Sequence, residues 1–364
     1  MGIDTSRPAE DGDAGGADAS TPRPGAAPDL PTPGGDSPDR RDLPEPGGIL
    51  LSDAAQILAF GGATFLLYLA LERLPLMGGV IGVLGAVVGL FSPAPAIQVF
   101  LRWGTGAGSG VIFGVAVALA WAEGWEISLQ FLASIGVIVW LLAASISAGR
   151  PIERAVGVSI LGAAVGLGVL YAVLTLGGDG GGLSVLLGPE GEKVLRRFSG
   201  GAAGAQQEEI NRLIRIMGHL IPAFAVMQAT LTSLLNYMLL RHVWTLRGAG
   251  GLFPARDLGR WSMAEPAVWA LIGSAGLLYF LRGTSMAWVM GNVLLILLFG
   301  YFLQGIAVTH FLLRKTGVAV VYRIPLCFFV LTFSYVVAAL GLFDLWFDFR
   351  RIRTAAPSAD KEGG

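Results

Sequence analysis

Gln228, Thr232 and Asn236 recur every fourth residue inside one apolar stretch, the spacing at which polar side chains can act together. On a helix, residues four apart drift by only about 40° per step, so the three form one stripe. Amides and hydroxyls donate and accept hydrogen bonds, which makes their chemistry recognition or fastening rather than proton transfer. Asn292 and Gln304 add two amides in a later apolar stretch. Twelve residues rotate by about 120° and rise about 18 Å, so those two cannot grip one small ligand side by side. Two readings stand for the five residues. Either they line a ligand-facing wall, or they make interhelical hydrogen bonds worth on average about 0.6 kcal/mol each.

The remaining polar clusters read as anchors. Trp261 followed by Glu265-Pro266 suits the first turn of a helix, with an acid near the positive end of the dipole, Pro where no donor is needed and Trp at the interface. Asp344, Trp346, Asp348, Phe349, Arg350 and Arg351 combine an aromatic belt with a charged cap, in which Asp348 can pair with Arg351 one turn on. No acid–base pair or nucleophile with its base stands together, so an enzyme is not expected. His219, His242 and His310 fall on separate helices with no carboxylate or Cys at ligand spacing, so no metal site is expected. Gly104-Thr105-Gly106-Ala107-Gly108-Ser109-Gly110 lacks dinucleotide spacing. Gly188-Pro189-Glu190-Gly191-Glu192-Lys193 lacks both the Gly spacing and the following Ser or Thr of a phosphate loop. No cofactor is implied. The lone Cys327 excludes disulfide scaffolds and reads as a small buried hydrophobe.

The elements that carry these residues are set by the apolar runs. Residues 49–353 form a near-continuous series of them, 16 to 28 residues long, with short polar breaks. That is the length of a membrane-spanning helix. Backbone groups in lipid must be satisfied within the segment, and the Gly and Ala content excludes the alternation of a barrel, so the fold class is an all-α polytopic transmembrane bundle. Spans are expected at 51–71, 76–101, 107–122, 127–148, 153–176, 213–240, 265–281, 286–313 and 323–344, eight to nine in all if one run is re-entrant. Ser92-Pro93-Ala94-Pro95 should break the second run. Gly78 with Gly82, Gly85 with Gly89, Gly110 with Gly114 and Gly162 with Gly166 mark places where helices could approach closely. Hydrophobic residues make up 54% of the chain against 14% charged, too little polar material to coat a soluble globule of this length.

The flanks differ. Residues 1–48 hold nine Pro and nine Gly, with ten acids against four Arg, and are expected to be a disordered acidic tail. They lack the apolar region of a signal peptide, so the first span would serve as the targeting signal. Residues 177–212 are a hydrophilic insertion that opens with a Gly run, with 194–198 and 210–216 at amphipathic helical spacing. A solvated connector is the alternative for that insertion. Residues 354–364 are expected to be a second disordered tail. Arg102, then Arg150 and Arg154, then Arg241, Arg247, Arg256 and Arg260, then Arg314, Lys315 and Arg323 fall on one side if the helices alternate, and that side is expected to be cytoplasmic. The Arg residues form no stripe interleaved with exposed aromatics, so the expected partner is the lipid bilayer and not nucleic acid.

Five strings resemble, in order and spacing, the YybS-like bacterial membrane proteins, catalogued as domain of unknown function 2232. They are Ser92-Pro93-Ala94-Pro95 with Arg102-Trp103-Gly104; Asn236-Tyr237 with Arg241; Trp261 with Pro266; Asn292 with Gln304-Gly305; and Asp344-Leu345-Trp346-Phe347-Asp348-Phe349-Arg350. The resemblance covers about residues 50 to 353 and implies a multi-pass protein of the bacterial inner membrane, without assigning a reaction. That family is distantly similar to the substrate-capture S components of energy-coupling-factor transporters, which implies a small solute and an energising transporter module as partners. Ala55, Ala59 and Ala63 form a small-residue stripe similar to the docking surface of such subunits. The chain departs from their pattern in its larger number of spans and its long insertion.

Overall fold

The computed structural model describes residues 51–176, 205–254, 261–316 and 332–350. The tails expected at 1–48 and 354–364, the insertion as far as residue 204, and Cys327 lie outside the described residues.

Helix α1 (Leu51–Arg73) opens with Asp53 in its first turn and closes with Arg73 in its last, the charge order the helix dipole favours. A tight turn, Leu74–Met77, and two glycines with positive φ, Gly78 and Gly79, reverse the chain. Helix α2 (Gly79–Gly89) then lies back along the end of α1, so close that a Cβ at Gly85 would strike Leu74 and one at Gly89 would strike Leu71. After the break at Leu90–Ser92 comes α3 (Pro93–Ala122), which turns sharply at Gly104 (φ 87, ψ −179). Arg102 donates to Gln56 at 2.9 Å, Gly61 faces Val111, and Arg73 pairs with Glu123. Residues 102–123 therefore run parallel to α1, and 79–103 is the return stroke between them.

Helix α4 (Trp125–Phe131) passes through one wide π turn, Leu132–Gly136, into α5 (Val137–Ser147). Helix α6 (Ile152–Leu176) packs antiparallel on α5, with Gly162 against Leu141 and Gly166 against the Ala133 carbonyl. Helix α7 (Ala205–Leu246) is 42 residues long with Pro222 inside it; residues 210–216 belong to its first turns. Helices α8 (Pro266–Phe280), α9 (Ser285–Lys315) and α10 (Ser334–Phe347) complete the bundle. The core gathers Tyr68, Ile97, Leu119, Phe131, Leu142, Ile146, Tyr237 and Leu240, drawn from α1, α3, α4, α5 and α7.

The exterior is apolar as well as the core. Trp121, Trp269 and Phe280 are 91%, 73% and 81% exposed, and Leu58, Val117, Leu161 and Val165 also face outward, a surface that suits a lipid bilayer. The described residues are all helical or connecting, with six helices long and apolar enough to cross a membrane. The expected count of eight to nine is not reached by such helices among the described residues. The runs at 76–101 and 107–122 form one apolar stretch, Gly79–Ala122, folded at Gly104. Helices α8 and α10 have 15 and 14 residues, a rise of about 22 Å against a hydrocarbon core of about 30 Å, and residues 323–331 of the last expected span lie outside the described residues.

Candidate functional site

Asn236 and Asn292 each sit where proline has left backbone groups without partners. At the break before α3, Pro93 and Pro95 have no N–H, and Ala94 N–H turns to the Phe91 carbonyl at 3.0 Å. That leaves the Leu90 carbonyl without the donor an unbroken helix would supply. Asn236 Nδ2 fills the gap at 2.8 Å and also donates to the Thr232 carbonyl at 2.6 Å. In α7, Pro222 interrupts the ladder one residue before Ala223. Asn292 Oδ1 accepts from Ala223 N–H at 2.8 Å while its Nδ2 donates to the His219 carbonyl at 2.7 Å. Those two backbone groups are the pair that an i→i−4 ladder would join, so Asn292 splices the helix from outside. The His219 ring stacks on Trp288 beside this splice, centroids 4.2 Å apart.

Gln304 has a different neighbour. Its Oε1 accepts from Met263 N–H at 2.9 Å, and its Nε2 donates to Asp344 Oδ2 at 3.3 Å. Arg350 reaches the same carboxylate oxygen with Nε at 3.0 Å and Nη2 at 2.6 Å, while Nη1 donates to the Trp261 carbonyl at 2.7 Å. Asp344 and Arg350 are 6% and 5% exposed, so this ion pair is buried. Positioning comes from glycine: Gly305 and Gly341 let α9 and α10 touch backbone to backbone, with the Val337 carbonyl against Gly305 and the Tyr301 carbonyl against Gly341. Arg351 lies outside the described residues, and the partner of Asp344 is Arg350.

Gln228 and Thr232 face a separate space. A cavity of about 180 Å³ lies between α1, the π turn, α6 and α7, and its polar lining is Tyr68, Glu72, Gln130, Ser134, Gln228 and Thr232. These are three pairs four residues apart on three different helices, so each helix turns one polar stripe toward the same point. The π turn contributes directly, since it rotates the chain between Phe131 and Val137 and keeps Ser134, whose hydroxyl donates to the Gln130 carbonyl at 2.6 Å, on the cavity side. Leu167, Ile221 and Phe224 close the rest with apolar surface. Glu72 is the carboxylate of this lining, and with five uncharged polar neighbours the cavity suits a small solute rich in hydrogen-bond donors.

Sequence spacing placed Gln228 and Thr232 on the stripe that meets the cavity, and placed Asn236 one turn beyond it. Asn292 and Gln304 stand away from it on α9. Tyr68, Glu72, Gln130 and Ser134 were not singled out, although each pair shows the same four-residue repeat as Gln228 and Thr232. Ala55 and Ala59 are exposed on α1 and Ala63 is half-buried. No cluster of three metal-ligating side chains occurs among the described residues.

The family model described as "Predicted membrane protein (DUF2232)" matches residues 73–345. The chain belongs to the DUF2232 family of predicted membrane proteins. No curated protein and no solved structure matches this DUF2232 chain. The matched region contains the proline break, the Pro222 splice, and the cavity residues from Gln130 to Thr232. Tyr68, Glu72 and Arg350 fall just outside it.

Proposed function

We propose that this DUF2232 protein is a non-enzymatic subunit of the bacterial inner membrane that captures a small solute in the cavity between α1 and α5–α7. The reading rests on one observation: three helices each present an i, i+4 polar pair to one internal space, where a bundle held only by packing would place apolar residues. A volume of about 180 Å³ lies below the range of about 300–1,000 Å³ usual for pockets that hold drug-sized ligands. The solute is therefore compact, and Glu72 selects for a cation or a multiple donor. Likeness to the YybS-like proteins and to transporter S components agrees with this role, in which Ala55, Ala59 and Ala63 would meet an energising module.

The test uses the purified full-length protein in detergent. Mass spectrometry should find a co-purified small molecule, and thermal stability should rise with one member of a panel of vitamins, amines and metal ions. Glu72→Gln and Gln228→Leu should abolish that rise while leaving a folded protein. A second reading, a membrane scaffold in which amides only fasten helices, is favoured by Asn236, Asn292 and Gln304, whose side-chain nitrogens or oxygens mend backbone gaps. It prevails if no molecule co-purifies, no panel member stabilises, and Gln228→Leu leaves stability unchanged or higher.

A further inference from the structure

The cavity between α1 and α5–α7 is not closed all round. Tyr68 and Thr232, 1% and 0% exposed, form its closed wall, whereas Gln228 and Phe224 line the same space and are exposed, Phe224 to 40%. Helix α1 packs on α2 and α3, and α7 packs on α3, α5, α6 and α9. The gap therefore falls between α1 and α7, which no comparable packing joins.

Depth decides what that gap faces. Ala229, next to Gln228, packs with Ile138 and Ala163. By helical rise Ile138 lies about 20 Å from Trp125, which with Trp121 stands exposed at one end of the helices, as residues of an interfacial belt do. Counting along α7 from Ile216, where its apolar span begins, puts Gln228 about 18 Å in. Both routes place the gap well inside a hydrocarbon core about 30 Å thick. An opening at that depth meets acyl chains. Yet the Gln228 side chain makes no hydrogen bond to any described residue, and Thr232 Oγ1, one turn further on, is buried without a partner. Polar groups at membrane depth are retained where they meet a ligand or a pathway. The lining carries one carboxylate, Glu72, and no Lys, Arg or His, which disfavours an anionic head and favours an ammonium. Gln228 and Thr232 then call for a hydroxyl. About 180 Å³ holds such a head and little more, so any attached chain has to leave through the gap, past the exposed ring of Phe224.

We propose that the cavity is entered sideways from the bilayer by a single-chain amphiphile with an amino-alcohol head, its ammonium at Glu72, its hydroxyl at Gln228 or Thr232 and its tail leaving between α1 and α7. This rests on the solute reading and deepens it, naming the class of solute and its route. Full-length protein in phosphatidylcholine nanodiscs is melted with 1-amino-2-dodecanol, with its short analogue 1-amino-2-propanol, and with 2-hydroxydodecanoic acid, which keeps chain and hydroxyl but replaces the ammonium by a carboxylate. Tm should rise saturably with the first alone. Glu72→Gln should raise the half-saturating amphiphile at least about tenfold, as expected for a lost charge-assisted hydrogen bond. A diazirine at mid-chain should crosslink within residues 221–228, and excess unlabelled amphiphile should abolish that crosslink, a readout that needs no variant to fold. An equal rise with 1-amino-2-propanol would overturn sideways entry and leave the solute reading standing. An equal rise with the acid, or crosslinks confined to other helix faces, would overturn the proposal by showing partition into the lipid alone. No response to these three compounds, with a response to a water-soluble member of the panel, would also overturn this proposal only; silence of both sets would remove the solute reading with it.

Discussion

Asn292 shows how much one amide can hold. It closes both ends of the gap that Pro222 opens, so Asn292→Leu would leave Ala223 N–H and the His219 carbonyl without their splice in apolar surroundings. An unsatisfied buried group costs about 1–3 kcal/mol, which predicts a loss of about 2–4 kcal/mol in reversible unfolding in detergent. The cause can be isolated, because Pro222→Ala allows α7 to straighten and restore its own ladder. In the Pro222→Ala background, Asn292→Leu should cost less than half as much; equal cost in both backgrounds would show that Asn292 acts through packing alone. Asp344 and Arg350 are governed by the opposite arithmetic. Arg350→Ala should cost about 3–5 kcal/mol by stranding a buried carboxylate, and adding Asp344→Ala should recover a substantial part of the loss. The polar stripe on α7 was legible because four-residue spacing is a property of sequence. The spliced gaps were not, since Leu90 and Asn236 stand 146 residues apart and only the fold brings them together.

At the scale of the helix, glycine spacing overstated close contact. Gly85, Gly89, Gly162 and Gly166 meet a neighbouring element as their spacing suggested, whereas Gly110 and Gly114 face open space. The tightest crossing in the carboxyl-terminal half comes from Gly305 and Gly341, one on each of two helices, which no spacing within a single segment reveals. Gly305→Ala or Gly341→Ala should push α9 from α10 and break the Gln304–Asp344 hydrogen bond. The expected cost is at least 2 kcal/mol by analogy with overpacked cores, measurable as a lowered Tm. Gly110→Ala and Gly114→Ala should be neutral or stabilising by about 0.5–1 kcal/mol through helix propensity. Gly104 differs from both groups. Its φ of 87 makes Ala strained there although nothing crowds the position, so Gly104→Ala should destabilise through the backbone alone. The corner at Gly104, which folds a 44-residue apolar stretch back on itself, was legible, since it falls in the gap between the runs expected at 76–101 and 107–122.

Across the whole molecule, α7 is the member common to both groups of helices: it packs on α6, α3 and α5 on one side and on α9 on the other. The residues that fasten it, Asn236 toward the α2–α3 break and Asn292 from α9, therefore join the amino-terminal helices to the carboxyl-terminal ones. Because Arg102 meets Gln56 while Glu123 meets Arg73, the direction of α1 fixes the sides on which the following connections emerge. The connection at Glu126 then lies on the face opposite the one at Ala148, and the latter shares its face with Arg150 and Arg154. By its excess of arginine that face is expected to be cytoplasmic. In a Cys327→Ala background, Ala148→Cys should resist a membrane-impermeant maleimide in whole spheroplasts and react after lysis, while Glu126→Cys should react in both. Both positions are exposed at the ends of described helices, so reactivity reports side rather than burial. Labelling of Ala148→Cys in intact spheroplasts would invert the orientation. It would also put the Glu72 end of the solute cavity on the cytoplasmic side, where capture from outside the cell could not begin.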